Sequence, residues 1–419
     1  MQKTMFYSRG VGNHGLLLAS FLILVFATIF SSFTNYSNYI IYPIWMLWLA
    51  QTLSNMGNLG KTEHSFVVVS FTLMALILLY RIIGYSSMPL LGLMNDFSWI
   101  MSGIVALFVM RYFSSNELST VYMFFSVGLL LLLLVFLGQG RAILALGNEY
   151  EAVEVADAWY GSLFMLLSGL SLIVFLNVKK MVPRLIAISV LLLTLYLNVS
   201  ILQRGTNVIM TLAELGLILI FLIKRKSVII TLSIIVAFFV IFALPSDNMV
   251  MIFDWLAQIS PSERISARFN ELSMVLMYES VEAGGGTFAA RGELMGVSWN
   301  TFTSSFGHFL LGAGEHAGDN SIIGHHSFIL DTLARYGIVG GILLIVYFIK
   351  QYKIFMSGLD RKREWALYMQ CAIVFAFYVF RNYYGQVAYS LVNLVLLVFF
   401  PLTFQLIHYY QNKSKSVTI

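Results

Sequence analysis

Long apolar runs alternate with short polar turns along most of the chain, and the pattern breaks once, in a polar stretch from about Pro245 to Arg335. Each apolar run is about 17–22 residues, the length a helix needs to cross hydrocarbon at a rise of about 1.5 Å per residue. The runs are His14–Phe33, Tyr39–Met56, Ser65–Ile83, Phe97–Phe113, Val121–Gly138, Tyr160–Val178, Leu185–Leu202, Val208–Ile223, Val228–Leu244, Ile338–Phe355, Ala366–Tyr383 and Val387–Ile407. The pattern predicts an all-α, polytopic integral membrane protein with about twelve transmembrane helices and one large extracytoplasmic helical insertion. Residues 1–244 would form a first membrane bundle, 245–337 the extracytoplasmic loop, and 338–419 the last spans and a cytoplasmic tail. No small-residue cleavage site follows the first run, which therefore reads as a retained span.

Inside the insertion, Ser260-Pro261-Ser262-Glu263 has the form of a capping box with proline at the first helical position. The helix it predicts runs to about Glu282, with Ile265, Phe269, Leu272 and Leu276 on one face, until Gly284-Gly285-Gly286 breaks it. A second helix is predicted from about Ala289 to Phe306, carrying Arg291, Leu294 and Trp299. A loop through Gly318 and Gly324 follows, and a last helix from about Ser327 runs into the tenth span. Faces of this kind are expected to lie on the outer leaflet or to pack over the bundle as a lid. The halves of the chain show no convincing internal repeat of the kind many transporters carry.

Composition narrows the class. With 59% hydrophobic and 11% charged residues and a mean hydropathy of +0.83, a water-soluble domain is excluded. The lone Cys371 excludes an internal disulfide and any cysteine metal cluster. The formal charge of +5 is unevenly spread. With the N-terminus in the cytoplasm, every lysine falls inside, together with Arg9, Arg111, Arg184, Arg225, Arg361 and Arg363, as the positive-inside rule requires. Outside remain only arginines: Arg81, Arg141, Arg204, Arg264, Arg268, Arg291, Arg335 and Arg381. Two readings stay open. Lysines alone suffice to retain cytoplasmic loops, or the outer face binds phosphate, which suits the fixed fork of arginine. Dispersal of these residues among membrane spans argues against nucleic acid as a partner.

Candidate chemistry gathers in the insertion, which holds four of the seven histidines: His308, His316, His325 and His326. His326 stands at the outer mouth directly before the tenth span, where a neutral imidazole could take a proton from an attacking hydroxyl. His325 competes for that role. Arg204 interrupts a short turn between spans, a costly place for a cation unless it is paired or bound to phosphate. Glu214 is its available partner in sequence, and Arg81 and Asp96 could pair across their loop. A second outer loop, Gln139–Trp159, is acidic and either simply solvated or a wall that orients an anionic glycan.

An arginine in the turn between spans seven and eight, a large outer loop after span nine, then Arg, Gly-x-Gly, and His followed by two spaced glycines: this order resembles the O-antigen polymerase and ligase superfamily of bacterial envelopes. The matching positions are Arg204, Arg291, Gly312, Gly314, His326, Gly337 and Gly340. Ser327 stands where that family often has asparagine, Arg335 where it usually has glutamate, and its early loop tryptophan lies late, at Trp299. The resemblance implies a GT-C-like membrane fold and metal-independent glycosyl transfer, without a cofactor, at the outer face of the bacterial inner membrane. The donor would be an oligosaccharide on undecaprenyl diphosphate, lying against membrane lipid, with a chain-length regulator protein as a further partner. His326, Arg291 and Arg204 would carry catalysis, and Arg204, Arg291, His325, Arg335, Gly312 and Gly314 would bind diphosphate or glycan. Polymerisation of repeat units is the expected activity. The alternatives are transfer of finished chains onto lipid A-core by a ligase, and a lipid-linked oligosaccharide flippase or transporter.

Overall fold

A computed structural model of the chain describes residues 37–83, 115–145, 149–198, 205–221, 246–260, 263–278, 286–314, 321–359, 361–362 and 364–383, with scattered helical positions in 19–23, 97–107 and 400–410. The described residues form helices joined by short turns, and no strand. In chain order the helices are α1 Ser37–Asn55, α2 Lys61–Ile83, α3 Ser115–Ala145, α4 Glu149–Asn177, α5 Met181–Leu197 and α6 Gly205–Ile220. Then come α7 Ser246–Gln258, α8 Glu263–Tyr278, α9 Gly286–Thr303, α10 Phe306–Leu311, α11 Phe328–Phe355 and α12 Trp365–Tyr383. By length and composition two of them, α2 and α11, can cross a membrane. The run expected at Val228–Leu244, and most of those at His14–Phe33 and Val387–Ile407, fall outside the described residues.

Apolar side chains cover both the inner and the outer faces of these helices. Leu78, Leu79 and Ile82 on α2, Phe124 and Leu131 on α3, and Ile342 and Ile345 on α11 all point outward. A helix of a soluble domain keeps one polar face, and these do not. Inward, α2, α11 and the segment 97–107 meet at an aromatic node. Trp99 packs edge-on against Phe328 at 5.2 Å and Tyr347 at 5.0 Å, and Tyr347 donates its hydroxyl to the Trp99 carbonyl at 3.3 Å.

The other half of the core is built on α4, which packs on α5, α6 and α12. Between apolar helices there is little hydrophobic gain to distinguish one packing from another, so polar pairs set the register. Ser168 and Thr194 share a hydrogen bond of 2.8 Å between α4 and α5, and Asn177 donates to Gln370 of α12 at 3.0 Å. Each such bond contributes about 0.6 kcal/mol in a membrane interior.

In the insertion, the helix expected from the capping box is α8. Its partner α7 was not foreseen from the sequence, and the two pack closely, with Phe253 stacked on Phe269 at 6.2 Å. The expected helix Ala289–Phe306 is shifted and divided. It begins at Gly286 and stops at Thr303, because Thr303 and Ser304 turn their hydroxyls back to the carbonyls of Trp299 at 3.0 Å and Thr301 at 2.8 Å. Ser305 then caps α10 by accepting from the His308 N–H at 3.1 Å.

Candidate functional site

The helix predicted to start near Ser327 does so, and Ser327 is its cap: Oγ accepts from the Leu330 N–H at 3.2 Å. Asparagine caps a helix by the same kind of bond, so the serine here fills that role with a different side chain. Ten residues beyond this cap, α11 breaks at Gly337, which takes φ 62° and ψ −162°. A helix broken there cannot return N–H groups to all the carbonyls of its last turn. The turn after α10 supplies them: Ala313 N–H donates to the Ala334 carbonyl at 2.8 Å and Gly314 N–H to the Arg335 carbonyl at 3.0 Å. Gly312 makes this approach feasible, since a Cβ there would sit 2.2 Å from the Arg335 oxygen. Tyr80 of α2 adds a hydroxyl bond to the Leu311 carbonyl and an edge-on contact with Tyr336 at 5.2 Å.

On the other side, the strand of chain from Ile322 to Ser327 is strapped along α9. Thr301 Oγ1 donates to the Ile322 carbonyl at 2.6 Å, and Gly324 N–H donates to Ser298 Oγ at 2.9 Å. Ser298 passes its own hydrogen to Asp331 Oδ1 at 2.6 Å, and both side chains are buried. A carboxylate inside the fold needs such a donor. Ser298→Ala should therefore lower the thermal midpoint of the solubilised protein, by about 1–3 kcal/mol in free energy. An unchanged midpoint would show that the strap is held elsewhere.

These two ties present the paired histidines. His325 takes a positive φ of 56°, the only non-glycine residue among the described ones to do so, and turns its ring towards α11. There Arg335, buried in the break, donates from a guanidinium nitrogen to His325 Nδ1 at 3.1 Å. Arginine only donates, so Nδ1 is the acceptor and the ring hydrogen of neutral His325 is on Nε2. His326 is exposed and has the opposite tautomer. Its Nδ1 lies 3.0 Å from the His325 carbonyl, which only accepts, so Nδ1 carries a hydrogen and, in the neutral ring, the lone pair lies on Nε2.

The structure thus brings His325, Arg335, Gly312 and Gly314 into one cluster with His326 at its exposed edge. Arg291 lies on α9, at the register position one turn before Leu294 and two before Ser298 on the stripe that meets the strap. Arg204, immediately before α6, lies outside the described residues, as does His316. Sequence reasoning passed over Ser298, Thr301, Asp331 and Tyr80. Of these only Asp331 left a signal, an acidic residue one turn into an apolar helix.

Two grooves lie on the helices that carry the cluster. One, of about 410 Å³, is lined by Asn300, Thr301, Ser304, His308 and Ser321 among others. Ser304 gives its single hydrogen to the Thr301 carbonyl, so His308 Nδ1–H donates to Ser304 Oγ at 2.7 Å. The other groove, of about 490 Å³, is almost wholly apolar and runs along α11 against α12, from Ile329 past Leu333, Gly341 and Ile345 to Tyr352.

No protein-family model matches this sequence, and no curated protein is significantly similar to it.

Proposed function

We propose that the chain is a polymerase of lipid-linked glycans. It would join oligosaccharide repeat units carried on undecaprenyl diphosphate into a surface polysaccharide, at the outer face of a bacterial inner membrane. The reading takes about twelve spans, both termini in the cytoplasm and the insertion outside. What supports it is an imidazole–guanidinium cluster at the start of α11, a helix that further along lines an apolar groove against α12. The groove suits a polyprenyl tail, and the neighbouring groove of hydroxyl, amide and imidazole groups suits sugar hydroxyls.

In the proposed reaction a sugar hydroxyl of one lipid-linked unit attacks the anomeric carbon of another. The new glycosidic bond forms as the bond from that carbon to the diphosphate oxygen breaks. His326 Nε2 accepts the hydroxyl proton. Arg204 and Arg291, with Arg335 behind the histidine loop, offset the charge that develops on the departing diphosphate. The histidines and arginines suffice for this step, so EDTA should leave the lengthening rate unchanged. Strong inhibition would point to a metal-dependent reaction instead.

Deleting the gene and separating the surface polysaccharide on a gel tests the reading directly. Surface molecules carrying a single repeat unit are the expected result. Long lipid-linked chains accumulating in the membrane would indicate a ligase, and single units trapped on the cytoplasmic side a flippase; either pattern overturns the polymerase.

A further inference from the structure

One ionisable side chain in the bundle takes no part in this site. Glu214 lies midway along α6 and is 0% exposed. Among the described residues neither of its carboxyl oxygens has a hydrogen-bond partner. It rests on α4 at Gly169, where a Cβ would fall 2.4 Å from Glu214 Oε1, and Val374 of α12 closes the same spot. A second buried acceptor lies close by. Asn198, 1% exposed, donates to Thr211 at 3.5 Å, one turn before Glu214, and its own Oδ1 is without a partner among the described residues.

The elements packed on α6 offer little charge to face it. Between Leu163 and Asn177, α4 has no titratable residue, and around Val374 α12 has only Cys371 and Tyr378. Helix α8, which also touches α6, carries Glu263, Arg264, Arg268, Glu271 and Tyr278 along its length. Among the described residues no hydrogen-bond donor meets the carboxyl, and a buried acid so placed meets the cost of desolvation by taking up a proton.

We infer that Glu214 is a proton-binding site within the bundle: it holds a proton while α6 is packed on α4, and releases it when the two helices part and water reaches the carboxyl. The step moves one proton between the Glu214 carboxyl and water and breaks no other bond. A metal cation is disfavoured, since it needs several oxygens around it and the acid lies directly on the backbone of α4 at Gly169. The two forms, protonated and packed or ionised and parted, make the α4–α6 contact sensitive to proton supply. This holds independently of the reaction proposed for the outer site.

The test uses the whole protein in lipid nanodiscs. Dicyclohexylcarbodiimide, which attacks protonated carboxyls in apolar surroundings, should label Glu214 at neutral pH, as located by peptide mass spectrometry of the wild type. The label should decline as pH is raised, and sodium chloride should give no protection at fixed pH. Infrared spectra should show a carboxylic C=O band in the wild type that Glu214→Gln loses. A wild type without label or band would mean an ionised carboxylate with an opposite charge beside it, and would overturn the inference. So would protection by sodium, which would make the site a metal cation's.

Discussion

Replacing His326 by Ala should cut the rate of chain lengthening by about 10²–10⁴-fold, the usual contribution of a positioned general base. The protein should remain in the membrane at its normal level, because the side chain is exposed and its only described bond is to the carbonyl of its neighbour. His325→Ala is the informative comparison. That ring has its Nδ1 committed to Arg335, so it lacks the free lone pair on Nε2 that His326 keeps. Its removal should act by taking a partner from Arg335 and leaving alanine at a positive φ that it tolerates poorly, giving a smaller loss that His325→Asn partly restores, since asparagine tolerates positive φ. Rates measured on purified lipid-linked substrate decide the matter. Equal activity of His326→Ala and wild type would remove the histidine from the mechanism.

Gly312→Ala is expected to cause the largest structural loss. The residue takes φ 79° and ψ 173°, a region open essentially to glycine, at a cost of about 1–3 kcal/mol for any other residue. Its new Cβ would also meet the Arg335 carbonyl oxygen at 2.2 Å, and backbone cannot swing aside as a side chain can. The turn would have to leave the break in α11, exposing the carbonyls of Ala334 and Arg335. Thermal midpoint and activity should fall together. Gly314→Ala provides the control: φ there is 88°, but nothing lies within 4 Å of the added carbon, so only conformational strain remains. Should the two variants prove equally stable, the close approach at Gly312 would not be what holds the turn.

The helical character was legible because apolar runs and polar turns differ so sharply in this chain. Helix ends were less so. The hydroxyls of Thr303 and Ser304 close α9 early by bonding back to the preceding turn, a choice that competes with continued helix and leaves no periodic trace. Helix α7 was hidden because it lies in the polar stretch, although Ser246 and Asp247 directly after Pro245 are fair starting residues. At the site, the pairing of His325 with Arg335 could not be read from their spacing alone. Those residues meet only because His325 adopts a positive φ, which sequence does not announce for histidine. Ser298 was invisible for a simpler reason: its importance comes from contact with Gly324 and Asp331, both far along the chain.

The turn after α10 is sewn into the break of α11 by the N–H groups of Ala313 and Gly314, and fastened to α2 by Tyr80. Lifting a turn attached in this way would break all three of these hydrogen bonds, unlike the swing of a hinged flap. In the reaction proposed above, a lipid-linked unit would therefore have to reach the histidines from the side, with that turn still in place.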